Sequence, residues 1–70
     1  MAESVYKIIE LVGTSTSSWE DAARAAVERA SGTLRDLRVA EVDKLDMTVE
    51  DNKVMLYRAR LKLSFKYEEA

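Results

Sequence analysis

The sequence predicts an α+β domain in which one strand is followed by a helix and then by two further strands. A run of β-branched and aromatic residues opens the chain, an alanine-rich run with helical spacing follows, and the last half alternates with period two. We expect these elements to form a single domain over residues 1–70. A three-stranded antiparallel sheet would partly wrap the one helix.

The first strand is predicted over Val5–Val12, which is rich in β-branched residues and too short for a stable helix. We expect it to stop at Gly13, because five Ser and Thr residues follow that glycine.

The helix is predicted to start at Trp19, with Ser18 as its N-cap. Asp21 stands in the capping-box position, and both Glu20 and Asp21 sit where the helix dipole favours negative charge. Small residues recur at helical spacing and would let a sheet approach closely; they are Ala22, Ala26, Ala30 and Thr33, with Ala23, Val27 and Leu34 beside them. We expect the helix to end between Ser31 and Leu34.

The second and third strands are predicted over Leu37–Val49 and Lys53–Tyr67, joined as a hairpin by a tight turn at Asp51-Asn52. If Glu50 opposes Lys53, the register of the whole hairpin follows. It places Val42 opposite Leu61, Ala40 opposite Leu63 and Arg38 opposite Phe65 on the face that meets the helix. The other face would pair Asp43 with Arg60 and Glu41 with Lys62. It would also carry Val39, Leu45, Met47, Val54 and Leu56.

Composition excludes several classes of function. The chain has no Cys and no His, so it offers no disulfide, zinc finger, thiol nucleophile or imidazole base. A formal net charge of -2 gives no general attraction for nucleic acid, and no long apolar run suggests a membrane segment or a secretion signal. We therefore expect a cytoplasmic protein with neither nucleic acid nor membrane as partner. No nucleophile–base pair supports an enzyme.

Strand length predicts self-assembly. An extended strand from Val54 to Tyr67 spans roughly 46 Å at ~3.3 Å per residue, whereas a compact domain of this size has a radius of gyration of about 11 Å. Such a strand overhangs its own subunit. We expect other copies of the chain to cover the exposed sheet face and the strand edges.

The combination of several segments resembles the dodecin family. These segments are Val5-Tyr6-Lys7-Ile8-Ile9-Glu10-Leu11-Val12-Gly13-Thr14-Ser15, Glu28-Arg29-Ala30 with Thr33-Leu34-Arg35, Leu37-Arg38 with Glu41-Val42, and Leu61-Lys62 with Phe65. The resemblance covers nearly the whole chain. It implies a β-α-β-β subunit and a hollow homododecamer of cubic symmetry.

Ordinary dodecins bind flavins, and the resemblance implies that this chain has altered their site. The family's flavin-stacking Trp matches Val39, its hydrogen-bonding Gln matches Arg58, and the Arg that many members place near the ligand's phosphate-bearing side matches Asp46. Aromatic stacking contributes about 0.5–1.5 kcal/mol beyond area burial, which Val cannot supply. Asp46 and Arg58 are within reach across the hairpin and could neutralise each other.

A second group of segments resembles the calcium dodecin branch, which suggests Ca²⁺ instead of flavin. The segments are Trp19-Glu20 after Ser18, Arg38-Val39-Ala40, Asp46-Met47 and Ser64-Phe65-Lys66. Calcium prefers six to eight oxygen ligands, which suits a chain without His or Cys. No EF-hand loop is present, so a site would be assembled from separate segments or subunits, with Glu10, Glu20 and Asp46 as candidate ligands.

The sequence is therefore compatible with two hypotheses for the function. The first is a non-enzymatic homododecamer for storage or sequestration that binds calcium or no ligand. The second is a flavin-binding dodecin, for FMN or riboflavin, with altered contacts. Trp19 also has two possible roles. It could offer an aromatic surface to a ligand in place of the missing Trp, or it could be a structural residue that packs back on the loop.

Overall fold

The computed structural model describes residues 3–67 and contains four elements in chain order. They are β1 (Tyr6–Ser15), α1 (Trp19–Ser31), β2 (Leu37–Glu50) and β3 (Lys53–Lys66). The strands form one antiparallel sheet in the order β1-β3-β2, so the last strand of the chain lies in the middle. The predicted α+β class and element order are confirmed. Residues 1–2 and 68–70 of the predicted domain lie outside the described residues.

Strand β1 is longer than predicted and shows why Gly13 is present. The strand does not stop at Gly13; it continues to Ser15, with Gly13 paired opposite Ala59. A Cβ atom at Gly13 would collide with the carbonyl oxygen of Ala22 and would lie 3.1 Å from the Cβ of Ala26. The glycine therefore permits close approach of α1 to the sheet and does not break the strand.

Helix α1 begins as predicted. The Ser18 hydroxyl accepts a hydrogen bond of 3.0 Å from the backbone N–H of Asp21, and the Ser18 N–H donates to the Ser15 hydroxyl at 3.4 Å. The Asp21 carboxylate does not complete a capping box but accepts from Arg24 at 3.2 Å. The helix ends at Ser31, within the predicted range.

The core is small and lies between α1, β1 and β3. Its buried side chains are Ala22, Ala26, Ala30, Ala59, Leu61 and Leu63. Because α1 packs mainly on β1 and β3, the helix side of β2 is left uncovered. Val42, Leu45 and Met47 on that side are 49%, 51% and 43% exposed.

The hairpin turn agrees with the prediction. Asp51 and Asn52 both adopt positive φ, at 51° and 60°, and Glu50 opposes Lys53. Two positive φ values at the central positions of a two-residue loop match the twist of the flanking strands.

Part of the predicted register is wrong because β2 and β3 contain irregularities. Val42 opposes Leu61, Ala40 opposes Leu63 and Glu41 opposes Lys62, as predicted. However, Lys44 and not Asp43 opposes Arg60, and Leu37 and not Arg38 opposes Phe65. Register shifts lie between Leu37 and Val39, Val42 and Lys44, and Thr48 and Val49. Each one inserts an extra residue into one strand, as a β-bulge does.

The bulge at Asp43 also changes which side chains face the helix. Leu45 opposes Ala59 and Met47 opposes Tyr57, on the helix side of the sheet. The prediction that Leu45 and Met47 share the other face with Val39 is therefore wrong, since one extra residue moves every later side chain to the opposite face.

The subunit is elongated. Its principal extents are 54 × 20 × 15 Å and its Cα radius of gyration is 14.6 Å, above the roughly 11 Å expected for a compact chain of this length. The long β2–β3 hairpin projects beyond the helix, as the strand-length argument predicts. In the described part of the chain, α1 is too short and too polar to cross a membrane.

Candidate functional site

The sheet face away from α1, here called the distal face, carries most of the predicted site residues. Side chains alternate along each strand, and Ala59, Leu61 and Leu63 of β3 face the helix, so their neighbours face away from it. The distal face consists of Ile8, Glu10, Val12 and Thr14 on β1, Arg58, Arg60, Lys62 and Ser64 on β3, and Val39, Glu41, Lys44 and Asp46 on β2.

Asp46 and Arg58 form the best-defined polar contact on the distal face. Arg58 donates from Nε to one Asp46 carboxylate oxygen at 2.6 Å and from Nη2 to the other at 2.8 Å. This confirms the expectation that the two residues meet across the hairpin. The hydrogen bonds from Arg58 hold the pKa of the Asp46 carboxyl below its ordinary value, and Asp46 in turn raises the pKa of Arg58.

The solvent exposure of this pair limits its energy. The side chains of Arg58 and Asp46 are 39% and 52% exposed, so water and salt screen their attraction. The bidentate geometry gives the pair directional specificity. It fixes the orientation of the Asp46 carboxylate more than it stabilises the subunit.

Trp19 joins the start of α1 to the same part of the hairpin from the helix side. Its indole Nε1–H donates to the backbone carbonyl of Asp46 at 2.9 Å. Its ring meets Tyr57 edge to face, with centroids 5.1 Å apart and planes at 74°. Trp19 therefore takes a structural position, although its partners are two strands and not the preceding loop.

Tyr57 has no role in the sequence predictions. The period-two alternation of β3 does contain the signal, since Tyr57 shares the helix side with the buried residues Ala59, Leu61 and Leu63. An aromatic residue at that position is a natural partner for the single Trp at the start of the helix.

A shallow apolar cavity, here called the notch, lies beside Trp19. Its volume is about 400 Å³ and its lining residues are Trp19, Glu20, Ala23, Val42 and Leu45. Glu20 is exposed and supplies the one charged side chain of this lining. The notch is thus the place where the uncovered helix side of β2 meets α1.

The three positions at which the family resemblance implies altered flavin contacts do not converge within one subunit. Asp46 and Arg58 are paired, but Val39 lies near the other end of β2, roughly 20 Å away at ~3.3 Å per residue. Val39 is 56% exposed on the distal face, opposite Ser64. A site that uses Val39 and Arg58 together would need a second subunit.

The candidate calcium ligands are also separated within the chain. Glu10 lies on β1 opposite Lys62, Asp46 lies on β2, and Glu20 lies on α1 on the other side of the sheet. Among residues 3–67, no three acidic residues gather closely enough to hold a metal ion. A metal site built from these residues therefore requires another copy of the chain.

Charges on the distal face are only partly matched across the strands. Lys62 stands between Glu10 on β1 and Glu41 on β2. Arg60 stands beside Lys44, because the bulge displaces Asp43 from the predicted position opposite it. Within the described residues, Asp46–Arg58 is the one distal-face pair whose charged atoms come within 4.0 Å.

Sequence comparisons support a single family. The family model described as Dodecin matches residues 5–68. The chain is 48% identical over 67 residues to the calcium dodecin of Mycobacterium tuberculosis, covering 96% of this chain and 94% of that protein. It is 43% identical over 65 residues to the dodecin of Thermus thermophilus, covering 93% and 94%.

Solved structures agree with the sequence comparisons. The dodecin of Streptomyces coelicolor superposes with a TM-score of 0.92 at 41% identity, covering 100% of both chains. The calcium dodecin of M. tuberculosis, described as calcium chelating with a calcium-binding site, gives a TM-score of 0.84 at 46% identity, covering 96% of each chain. Homo-oligomers are formed by this family, and a homododecameric assembly is consistent with it.

Proposed function

Since this chain belongs to the dodecin family, we propose that it forms a homododecamer that sequesters calcium without catalysing a reaction. Its relatives are binding and storage proteins, and they include both a calcium dodecin and flavin-binding dodecins. The choice between these two ligands depends on the residues at the positions of the family's flavin site.

The observation that carries the proposal is the Asp46–Arg58 pair. The resemblance assigns both positions to flavin contacts, and here their polar atoms are occupied by each other at 2.6 and 2.8 Å. Val39 supplies no aromatic surface at the position of the stacking Trp. A flavin would therefore have to break a charged pair and would gain no stacking in return.

Calcium is compatible with the same residues. A carboxylate has about four lone-pair sites, and Arg58 uses two of those on Asp46, so the Asp46 oxygens retain acceptor capacity. Hard cations take such oxygen ligands, with carbonyls and water completing the shell. We propose Glu10 and Glu20, from this or a neighbouring subunit, as further candidate ligands.

Native mass spectrometry of the purified protein before and after a calcium chelator tests the proposal. We expect a dodecamer that carries calcium and loses it on chelation. An Asp46→Asn variant should bind less calcium, whereas Asp43→Asn, which removes another exposed acid of the same strand, should bind as the parent protein does. A dodecamer that carries no calcium at millimolar Ca²⁺ contradicts the proposal that calcium is the ligand. A flavin adduct favours the alternative flavin-binding function.

A further inference from the structure

The middle of β2 is paired out of register with the rest of the hairpin. Val42 opposes Leu61, as the turn dictates, but the five residues Lys44–Thr48 are each paired one position away from that register. The shift begins and ends at the two bulges, where Asp43 is the extra residue on β2 and Met55 the extra residue on β3. One extra residue on each strand returns the pairing to the register set by the turn. The same hairpin could therefore also pair continuously, with neither bulge.

This alternative pairing would change which residues face the helix. Without the bulges, Leu45 would oppose Arg58 on the distal face and Asp46 would oppose Tyr57 on the helix side. The Asp46–Arg58 pair would then be lost. The position of the Asp46 carboxylate therefore depends on the shifted register.

Cross-strand charges do not explain why the shifted register is adopted. It places Lys44 beside Arg60, and like charges on directly opposed residues are destabilising. The shifted register gains the Asp46–Arg58 pair, but the unshifted pairing would gain Asp43 opposite Arg60 in its place and would avoid the Lys44–Arg60 repulsion. Some other contact must outweigh this difference.

The Trp19–Asp46 hydrogen bond does not select the register by itself. It uses a backbone carbonyl of β2, and a one-residue slip would bring the carbonyl of Leu45 to the same place opposite Arg58. The bond ties β2 to α1 in either register. Selection must come from the side chains that face Trp19.

We infer that Leu45, through its place beside Trp19 in the notch, is a positioning residue that sets the register and thereby brings Asp46 to the distal face. The shifted register puts Leu45 in the apolar notch with Trp19 and Ala23. The unshifted register would turn the charged side chains of Lys44 and Asp46 toward that side and place Leu45 on the charged distal face. For calcium binding this inference rests on the proposed function, whereas the register itself can be measured without metal.

Engineered disulfides can report the register, because the chain has no native Cys. Thr48 opposes Leu56 in the shifted register, and Met47 would oppose Leu56 in the unshifted one. Opposed residues have Cβ atoms close enough for a disulfide, whereas residues on opposite faces do not. We expect T48C/L56C to form its intrachain disulfide at least about tenfold faster than M47C/L56C.

Leu45→Ser then tests the inference in metal-free protein. It should change the ratio of the two disulfide yields about tenfold toward M47C/L56C. The reason is that Leu45 is partly buried in the notch only in the shifted register, so the serine destabilises that register and not the unshifted one. Trp19→Ser should move the ratio the same way. Val42→Ser is the matched control: Val42 also lines the notch, but it opposes Leu61 in both registers, so the ratio should not change.

Two outcomes overturn the inference: an unchanged ratio in Leu45→Ser, or an equal change in Val42→Ser. Leu45 is 51% exposed, so its substitution leaves the buried core intact and the measurement remains possible even if Trp19→Ser fails to fold. If the ratio changes as expected but calcium does not bind, the register inference stands and the proposed function fails.

Discussion

Gly13 on β1 and Ala22 on α1 approach each other so closely that the strand has no room for a side chain. A Cβ at Gly13 would strike the Ala22 carbonyl oxygen, which belongs to the helix backbone and cannot rotate away as a side chain would. This contact sets the distance between the helix and the sheet. It also explains why a glycine lies in the interior of a strand, where it is otherwise unfavourable.

Gly13→Ala should therefore destabilise the protein, by about 1–3 kcal/mol or more, as expected for overpacking against rigid backbone. Gly32→Ala is the matched control, because its Cβ would lie at an ordinary 3.4 Å from the Arg29 carbonyl oxygen and its φ is -73°. We expect that control to be neutral or to stabilise by about 0.4–1 kcal/mol. Thermal unfolding of the two variants measures both effects, and equal midpoints would refute the close-contact argument.

The Asp46–Arg58 pair should make a pH-dependent contribution to stability. Hydrogen bonding to Arg58 lowers the pKa of folded Asp46 below its ordinary value of 3.8. The contribution is therefore fully present above that ordinary value and is lost as the pH falls below it through the folded pKa. We expect Asp46→Asn to lower the unfolding midpoint at pH 7 in low salt, and expect the difference from the parent protein to shrink toward pH 3.

Asp43→Asn provides the comparison for this experiment. Asp43 is an exposed acid on the same strand and makes no ion pair within the described residues. Its substitution should leave the midpoint near that of the parent protein at pH 7. High salt should reduce the effect of Asp46→Asn, since the pair is partly exposed. If Asp46→Asn lowers the unfolding midpoint more strongly as the pH falls, the pKa of folded Asp46 is not lowered and the predicted pH dependence is wrong.

Flavin affinity should rise when two family residues are restored together. Val39→Trp with Arg58→Gln returns a stacking surface and removes the guanidinium that occupies Asp46. We expect stronger quenching of flavin fluorescence by this variant, with the assembly unchanged in native mass spectra. Val49→Trp with Arg58→Gln adds a Trp at another exposed Val of the same strand and should bring no gain. If the two variants quench flavin fluorescence equally, the flavin pocket does not lie at Val39.

The β2–β3 turn should tolerate Gly but not a β-branched residue at Asn52. Its φ of 60° is left-handed, a region that Gly adopts freely and Val only at a cost of about 1–2 kcal/mol. We expect Asn52→Gly to retain or raise the unfolding midpoint and Asn52→Val to lower it. The two variants should become indistinguishable only if the turn has another conformation in solution.

Local chemistry was sufficient to predict most of the fold. The Ser18 cap, the alanine spacing of α1 and the Asp51-Asn52 turn each depend on residues close together in the chain, and each is present as predicted. The extent of β1 was not predictable in this way. Gly13 usually signals a break, and its actual role comes from contact with Ala22, nine residues further along the chain.

The bulges in the hairpin had no local signal either. An alternating strand predicts one continuous register, whereas we infer that the shift over Lys44–Thr48 depends on the contact of Leu45 with Trp19, which lies on the distant helix. The proximity of Asp46 and Arg58 along the hairpin was predictable. Their contact on one face was not, because the unshifted register places the two side chains on opposite faces of the sheet. The site as a whole was not, since Val39, Glu10 and Glu20 lie apart from that pair in a single subunit.

The small core of this chain has a consequence for how it unfolds. Among residues 3–67, four of the six buried side chains are alanines, and only Leu61 and Leu63 are large. A subunit with so little buried surface offsets little of the loss of chain entropy by itself, so we expect dissociation and unfolding to be one event. By mass action, its thermal midpoint then rises with protein concentration, and subunits exchange between assembled particles no faster than the chain unfolds.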